Sequence, residues 1–306
     1  MAKRKRKKKR PATVLSYGGG LDSWAMLLES IDRGEPPDYI VFSDVGDPLD
    51  RSVPGEWPST LAHIEEIVKP LAEQHGIKFV HISYLMGPEY LIQGKYKTLF
   101  EWFRSTNTFP GTQSSLCTMK AKIDRINTWL EKEFGGEPVE VWIGFGAEEK
   151  KRFKKGASAV YTKEVPGRTK RYPLMEWDMC RCRSEQVARQ SGYPVPRKSA
   201  CVFCPHASKR DFKTLSREQP ELFHEIGKLE SEFKGTSTGK MMAYHTKTGE
   251  EYGLEKGEKA DMWLPEAVKT DYVPHLIPCP HCKAPQRATK QAGSTWLYDA
   301  PTTCPS

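Results

Sequence analysis

The stretch Thr13-Val14-Leu15-Ser16-Tyr17-Gly18-Gly19-Gly20-Leu21-Asp22-Ser23 decides the fold class, because the hydrophobic pattern changes across its three glycines. Residues 13–17 form a short apolar run that predicts a buried strand. In residues 21–33 the apolar side chains recur at helical spacing, and Gly34 follows at the position typical of a C-cap. We therefore expect a strand, a glycine turn and a helix in direct succession.

Strands and helices continue to alternate after this unit. Strands are predicted for residues 39–42, 77–83 and 139–144, and helices for residues 60–75 and 118–134. This order predicts an α/β fold, Rossmann-like, with a parallel sheet covered by helices on both faces. Ligands of such sheets bind at the carboxyl ends of the strands, where we expect the glycines, Asp44 and Gly144 to meet.

The composition indicates a globular chain with one concentrated block of positive charge. No apolar stretch in the 306 residues reaches the ~18 residues of a membrane-spanning helix. Every residue from Lys3 to Arg10 is basic, whereas the rest of the chain has equal numbers of basic and acidic residues. Such a run binds nucleic acid or another polyanion, or else remains a solvated arm. Because the pattern of a signal peptide does not follow it, we expect a cytoplasmic protein.

Three regions are expected along the chain. Residues 1–12 form the basic tail, residues 13–233 the nucleotide-binding domain, and residues 234–306 a C-terminal region rich in Gly, Lys and Thr and then in Pro. Within the domain, the basic residues 151–171 are expected to form a loop. Further helices are expected at residues 184–190 and 209–233. The pattern does not define an oligomeric state.

The glycine turn has the character of a phosphate-binding loop. Glycines let backbone amides approach an anion, and the following helix directs its free amides and positive dipole end to the same point. Ser16 and Ser23 add hydroxyl groups. No Lys follows the glycines, so this is not the mononucleotide loop that ends in Gly-Lys-Ser/Thr. The alternative is a tight turn in which Asp22 and Ser23 are ordinary first-turn residues.

Residues 16–23 resemble the PP-loop of the ATP pyrophosphatase and phosphoadenosine phosphosulfate (PAPS) reductase-like superfamily, with one residue more than the common Ser-Gly-Gly-X-Asp-Ser. The variant is similar to PAPS-reductase-like proteins of phages and mobile elements. Further segments extend the resemblance over about residues 13–215. They are Phe42-Ser43-Asp44-Val45-Gly46, Cys117-Thr118-Met119-Lys120-Ala121-Lys122-Ile123, Ile143-Gly144-Phe145-Gly146-Ala147-Glu148-Glu149-Lys150-Lys151-Arg152, Tyr172-Pro173-Leu174-Met175-Glu176-Trp177 and Lys198-Ser199-Ala200-Cys201-Val202-Phe203-Cys204-Pro205.

This resemblance implies an enzyme that binds ATP and cleaves it between the α and β phosphates, so that an acceptor is adenylated and pyrophosphate leaves. Asp22 would organise the loop or a Mg²⁺ ion, or else cap the helix, and Asp22 and Ser23 are the expected catalytic residues. The expected nucleotide-binding residues are Ser16, Gly18, Gly19, Gly20, Asp22, Ser23, Asp44 and Gly144.

Cysteines form two candidate metal sites. Cys201 and Cys204 have the spacing of half a metal knuckle, and with Cys117 and Cys182 (or Cys180 as the alternative) they give four thiolates. Four thiolates bind either zinc or an iron–sulfur cluster, and buried free thiols are a third reading. The resemblance to DNA phosphorothioation and tRNA thiolation proteins favours a [4Fe–4S] cluster, although Ser184 stands where those relatives have the middle Cys.

The second candidate site lies near the end of the sequence. Cys279, Cys282 and Cys304 are similar to a truncated zinc ribbon. A closed zinc site needs four ligands, so His275 or His281 would have to complete it. The alternative is a degenerate ribbon without metal.

Three functional hypotheses follow. The first is an adenylating PP-loop enzyme of nucleic-acid or nucleotide modification, which resembles thiolation enzymes. The second is a sulfonucleotide (PAPS or adenylyl sulfate) reductase, although such enzymes carry a C-terminal Glu-Cys-Gly-X-His motif and the C-terminal candidate here is Cys304. The third is a nucleotide-binding or nucleic-acid-binding protein without turnover. The acceptor and any sulfur or electron donor remain open.

Overall fold

A five-stranded sheet dominates the computed structural model, which describes residues 10–53, 55–107, 116–150, 167–204, 207, 209–223, 225–226, 275–279, 281–283, 285–290 and 296–299. Every pair of neighbouring strands in this sheet is parallel. In chain order the strands are β1 (Ala12–Ser16), β2 (Tyr39–Ser43), β3 (Lys78–Ile82), β4 (Val139–Trp142) and β5 (Arg168–Arg171).

The order of strands across the sheet is β3-β2-β1-β4-β5. The chain moves outward from β1 to β3 and then returns to the other side of β1 to form β4. Leu15 of β1 accordingly lies opposite Ile40 of β2 on one side and Trp142 of β4 on the other. The crevice between the carboxyl ends of β1 and β4 is a topological switch point, which is where open α/β sheets bind ligands. The predicted α/β fold with a parallel sheet is confirmed.

Helices connect these strands, and two of the helical segments contain a π-helical turn. Helix α1 (Leu21–Asp32) joins β1 to β2. Between β2 and β3 lie α2 (Pro58–His63), a π-helical turn (Ile64–Val68) and α3 (Lys69–Gln74). Between β3 and β4 lie two 3₁₀ turns (Tyr84–Met86 and Pro88–Tyr90), α4 (Leu99–Thr106), α5 (Leu116–Thr118), a π-helical turn (Met119–Ile123) and α6 (Asp124–Phe134). The 3₁₀ turn Ala147–Glu149 follows β4, and α7 (Pro173–Glu176), α8 (Arg181–Gln190) and α9 (Lys209–Glu218) follow β5.

Local sequence signals explain several helix boundaries. Pro58 occupies the first turn of α2, where its missing N–H costs nothing. The Thr98 side chain accepts a hydrogen bond from the Glu101 amide and so caps α4. Gly34 and Gly135 follow α1 and α6 with φ angles of +70° and +54°, the left-handed conformation common at helix ends.

Alternate strand residues bury opposite faces of the sheet in separate cores. Leu15, Ile40 and Trp142 face the core that includes side chains of α1 and of the α2–α3 segment. Val14 and Val41 face the opposite core, to which α6 contributes Trp129 and Leu130. Since strand side chains alternate between faces, helices on both sides are required to cover the sheet. This two-sided burial holds β1 and its glycine turn in a fixed position.

The last four residues of the expected loop at residues 151–171 form a strand instead. Arg168–Arg171 pairs in parallel with β4 at the edge of the sheet. An edge strand with polar side chains buries little surface, so its sequence need not alternate between apolar and polar residues. The segment Arg168–Arg171 therefore gave no strand signal. Residues 151–166 lie outside the described residues.

A second, antiparallel sheet lies in the C-terminal region. It consists of β6 (His275–Pro278), β7 (Pro285–Lys290) and β8 (Trp296–Asp299), in the order β6-β7-β8. Cys279 and Cys282 lie in the connection between β6 and β7, whereas Cys304 and the basic run at residues 3–9 lie outside the described residues. Within the described part of the chain, no helix combines the length and the apolar character needed to cross a bilayer.

Candidate functional site

The glycine turn joins β1 to α1 at the switch point and is tightly packed on one side. Gly19 has a φ of +75°, and a Cβ atom placed on it would lie 2.6 Å from Cγ2 of Thr60. A Cβ atom on Gly20 would lie 3.2 Å from the hydroxyl oxygen of Ser199. Gly18 is exposed, and Ser16 and Gly20 are half-buried. The turn therefore requires glycine for its packing and still presents backbone to solvent.

The first turn of α1 is free of side-chain capping. Gly20 is the N-cap residue, and the first intrahelical bond runs from the Trp24 amide to the Gly20 carbonyl at 3.0 Å. The Ser23 hydroxyl donates to the same carbonyl at 2.9 Å, so its proton is used inside the turn while its oxygen can still accept. The amides that begin α1 therefore lie at the positive end of a 12-residue helix, an arrangement suited to an anion.

Gly144 lies directly behind this helix start. A Cβ atom on Gly144 would lie 3.5 Å from the Ser23 amide nitrogen and 3.7 Å from Cβ of Asp22. Its lack of a side chain lets the end of β4 approach the first turn of α1. The structure thus brings together at the switch point the predicted residues Ser16, Gly18, Gly19, Gly20, Asp22, Ser23 and Gly144.

Asp44 follows β2 and is held by protein groups. Its Oδ2 lies 3.1 Å from both His81 Nε2 and Arg51 Nη1, and the Gly46 amide donates to Oδ1 at 2.9 Å. Burial alone would raise the pKa of Asp44, but His81, the Gly46 amide and the Arg51 charge lower it below its usual value. Asp44 is therefore ionised at neutral pH and fixes the loop that follows β2.

A cavity of about 140 Å³ opens beside Asp44. Its lining residues are Asp44, Gly46, Asp47, Arg51, Val53, Gly55, Glu56, Pro58, Leu61 and Leu222. The glycines of the turn do not belong to this lining, so the cavity is distinct from the surface that the exposed Gly18 presents.

Glu148 forms an acidic pair with Asp22 that the sequence did not single out. The Arg181 amide at the start of α8 donates to both carboxylate oxygens of Glu148 at 3.2 Å, and Arg181 Nη1 lies 3.4 Å from Oδ2 of Asp22. Burial raises the pKa of Glu148 to about 7, with a further contribution from the Asp22 charge, against the lowering effect of the amides. The site therefore contains a carboxyl group that titrates near neutral pH next to the glycine turn.

The raised pKa of Glu148 predicts a specific pH dependence of stability. The folded protein binds a proton at this carboxyl group more tightly than the unfolded chain does, so the associated stability is complete below about pH 4.5 and is lost as the pH rises through about 7. Replacing Glu148 by Gln is expected to remove this loss, which amounts to at most about 3 kcal/mol at 1.36 kcal/mol per pKa unit.

The measurement is the melting temperature of wild-type protein and Glu148→Gln at pH 5, 6.5 and 8. The difference in favour of the Gln variant should grow with pH. Glu137→Gln, at an exposed position, controls for the loss of one negative charge. Parallel pH profiles for all three proteins would contradict the assignment.

Cys117, Cys201 and Cys204, here called the three-cysteine group, lie around an ion pair. Lys122 Nζ donates to Oε1 of Glu56 at 2.6 Å, and Glu56 forms a β-bridge with Cys201. Burial raises the pKa of the Cys201 thiol well above its usual value; the charges of Glu56, Cys204 and Cys117 add to this, and Lys122 opposes it. The pKa of Cys117 is also raised, mainly by burial.

The loop of the three-cysteine group also touches the glycine turn. Ser199 packs against Gly20, and two residues later Cys201 pairs with Glu56. The Val202 amide donates to the Gly55 carbonyl at 2.9 Å, which fixes this loop beside the wall of the cavity. The short segment from Ser199 to Val202 therefore contacts the glycine turn and carries part of the three-cysteine group, although the turn and these cysteines are far apart in the sequence.

Cys180 and Cys182 belong to a different cluster. They pack with Cys279 and Cys282, whereas Cys117 and Cys201 pack against the core that contains Trp57 and Phe203. The structure thus divides the predicted set of Cys117, Cys182, Cys201 and Cys204 between two places. It also places the predicted pair of Cys279 and Cys282 with Cys180 and Cys182, whose contribution the sequence spacing gave no means to detect.

No known protein family and no curated protein matches the sequence. Among solved structures, similarity is found to the U34-tRNA thiolase NcsA from Methanococcus maripaludis with its [4Fe-4S] cluster. The two chains are 15% identical, the TM-score is 0.39, and the match covers 72% of this chain and 70% of that one.

Proposed function

We propose that this protein is a PP-loop ATP pyrophosphatase of the PAPS-reductase-like group, which cleaves ATP to AMP and pyrophosphate while it adenylates an acceptor. The observation that carries the proposal is the glycine turn at the switch point of the parallel sheet, with Ser199 of the cysteine-bearing loop packed against Gly20. This arrangement joins a candidate anion site to a set of thiols in one active centre.

The phosphate-binding role falls to backbone groups. The amides at the start of α1 lie next to the glycine turn, and because they are fixed by the helix they need no reorganisation when negative charge develops on the phosphates. Cleavage between the α and β phosphates requires charge stabilisation along an in-line displacement, which fixed amides supply. Ser16 adds a hydroxyl group at the end of β1, and the Ser23 hydroxyl rigidifies the turn through Gly20.

Acidic groups beside the turn would hold Mg²⁺. Asp22 and Glu148 lie close enough for the charge of one to raise the pKa of the other, and carboxylate oxygens are preferred magnesium ligands. A bound divalent cation would favour the ionised form of Glu148. Arg181, 3.4 Å from Asp22, adds a positive charge on the same side.

The three-cysteine group has the chemistry expected for an iron–sulfur cluster, with zinc as the alternative. Cys117, Cys201 and Cys204 supply three thiolates, and Lys122 offsets part of their charge. Oε2 of Glu56 is buried and has no hydrogen-bond partner among the described residues, so a carboxylate oxygen is available beside the thiols. A cluster there would supply sulfur-transfer or electron-transfer chemistry next to the adenylated acceptor.

The acceptor that we propose is a nucleic acid or nucleotide. The basic run from Lys3 to Arg10 supplies the charge for a polyanionic partner, and the balanced charge of the remaining chain leaves that contact to the tail.

Deleting residues 1–10 should flatten the salt dependence of nucleic-acid binding, and an unchanged slope would exclude the tail from that contact.

The test of turnover is the product pattern from ATP labelled in the α phosphate. Anaerobically purified protein with Mg²⁺ and tRNA or DNA should release pyrophosphate and transfer an equal amount of the label to the acceptor, and it should exchange labelled pyrophosphate into ATP. When a sulfide donor is added as the nucleophile, the label should leave the acceptor as AMP. Release of ADP and phosphate would contradict the proposal. Tight ATP binding with neither product would indicate a protein without turnover, and sulfite release from an adenylyl sulfate with a thiol donor would indicate a reductase.

A further inference from the structure

Four cysteine sulfurs converge outside the proposed active centre. Cys180, Cys182, Cys279 and Cys282, here called the four-cysteine group, have sulfur atoms that all lie within 4.8 Å of one another. Three of these residues are buried, Cys282 is half-buried, and none of the four is in a disulfide. They come from two segments about 100 residues apart, so their convergence is a property of the fold.

The first half of the group is the start of α8. Cys180 is the N-cap residue with an extended backbone, and Cys182 is the second helical residue. The positive dipole end of a helix start stabilises negative thiolates. Arg181 and Arg183 flank Cys182 in sequence and add positive charge to this segment. The helix start therefore favours the deprotonated state that a metal ligand must adopt.

The second half is the connection between β6 and β7, which has the form of a metal knuckle. The Lys283 amide donates to the Cys279 carbonyl at 3.0 Å, and Lys283 has a left-handed φ of +63°. The backbone amides of Cys282 and His281 donate to the Cys279 sulfur. His281 is engaged outside the group, because its Nε2 lies 3.2 Å from Oδ2 of Asp178. The turn thus presents two sulfurs on one side.

The spacing of the four sulfurs fits one metal ion. With a metal–sulfur distance of about 2.3 Å, a tetrahedral zinc ion holds its four sulfurs about 3.8 Å apart. The thiolates of a four-iron cluster each bind a different iron atom and must be separated further by the cluster between them. A maximum separation of 4.8 Å is close to the single-ion geometry and leaves no room for a cubane.

We propose that Cys180, Cys182, Cys279 and Cys282 bind one tetrahedral Zn²⁺ ion, which fastens the connection between β6 and β7 to the start of α8. The site completes the C-terminal cysteine pair with ligands from the nucleotide-binding domain, so neither Cys304 nor a histidine is required. The ion also fixes the backbone around Arg181, which contacts Asp22 and Glu148 beside the glycine turn. The proposal is independent of ATP turnover.

The experiment is metal analysis of the full-length protein and of matched single variants. Wild-type protein should contain at least one zinc per chain, and protein produced with Co²⁺ should show the visible bands of a tetrahedral sulfur site. Cys279→Ser and Cys182→Ser should lower the zinc content about tenfold or more. Cys304→Ser and Cys201→Ser should retain the zinc of the four-cysteine group, and Cys201→Ser should lose only the metal of the three-cysteine group, whether iron or a second zinc, if one is bound there.

A conservative variant keeps the test decisive where a serine variant fails to fold. Cys282→His should retain one ion, with cobalt bands shifted by the change from sulfur to nitrogen. Zinc content unchanged in both Cys182→Ser and Cys279→Ser would overturn the proposal. So would intact disulfides between these cysteines in native protein, or iron that is lost in Cys279→Ser and kept in Cys201→Ser.

Discussion

Replacement of Gly19 by alanine is expected to lower the affinity for ATP at least about tenfold and the rate of pyrophosphate exchange about 100-fold, the size of effect seen when a fixed anion donor is lost. Two independent costs fall on the turn. A φ of +75° strains any residue with a Cβ atom by roughly 1–2 kcal/mol. The new methyl group would also lie 2.6 Å from Thr60 Cγ2, so either the turn or α2 must shift.

Gly34→Ala is the matched control for this variant. Gly34 has nearly the same φ, +70°, but a Cβ atom there meets nothing within 4 Å, and the residue lies at the opposite end of α1. The unfolding free energy of Gly34→Ala should therefore fall by roughly 1–2 kcal/mol, which is the cost of the backbone strain. Its affinity for ATP should be unchanged. The measurements are calorimetric titration with ATP and Mg²⁺, pyrophosphate exchange and urea unfolding. Equal ATP affinity in Gly19→Ala, Gly34→Ala and wild-type protein would show that the turn does not bind the phosphates.

The central β-α unit could be predicted because its information is local. The change from an apolar run to helical spacing across Gly18–Gly20 predicted β1 and α1 almost to the residue. Parallel strands align their carboxyl ends, so the strand order alone was enough to bring Gly144 behind the first turn of α1. Asp44 likewise lies at the carboxyl end of its strand, but its oxygens are engaged by His81, Arg51 and the Gly46 amide.

The pairing of cysteines could not be predicted, because it depends on contacts between distant segments. A Cys-X-X-Cys motif predicts that its two cysteines bind the same metal, but it does not indicate which residues provide the other two ligands. Cys180 and Cys182 are separated by one residue, and their assignment to Cys279 and Cys282 follows from how the β6–β7 connection meets α8. Glu148 was missed for the same reason, since its raised pKa arises from burial and from Asp22, which is remote in sequence.

The ion pair of Lys122 and Glu56 lies beside the three-cysteine group, whose members are half-buried. Burial alone would lower the pKa of Lys122, but the charges of Glu56 and Cys201 raise it, so the ammonium group remains charged. Its partner Glu56 lines the cavity beside Asp44, and its neighbour Cys201 lies two residues after Ser199. One half-buried cation thus contacts both the cavity wall and the thiols, and loss of Lys122 would leave the buried carboxylate of Glu56 without its partner.

Arg125→Met is expected to destabilise the protein by about 3–5 kcal/mol, the cost of leaving buried polar groups without their partner. Arg125 lies on α6 and is 2% exposed. Its guanidinium group donates to the backbone carbonyls of Asp44 and Tyr90 at 2.6 Å and of Lys97 at 2.8 Å. Burial lowers the pKa of Arg125 to about 10, opposed by Asp44, so the side chain remains charged at pH 7.

The three carbonyls belong to separate segments, so this one side chain fixes the loop after β2 against the two segments that precede α4. Methionine fills much of the volume but donates no hydrogen bond, and lysine restores the charge without the planar fork that reaches three acceptors. Arg125→Lys should therefore recover only part of the loss. Arg189→Met, at a half-exposed position paired with Glu185, is the control and should change the unfolding free energy by no more than about 1 kcal/mol. Urea unfolding measures the free energy of unfolding of Arg125→Met, Arg125→Lys and Arg189→Met, provided that the m-value does not change. A loss of stability in Arg125→Met as small as that in Arg189→Met would contradict the role of Arg125 in fixing these loops.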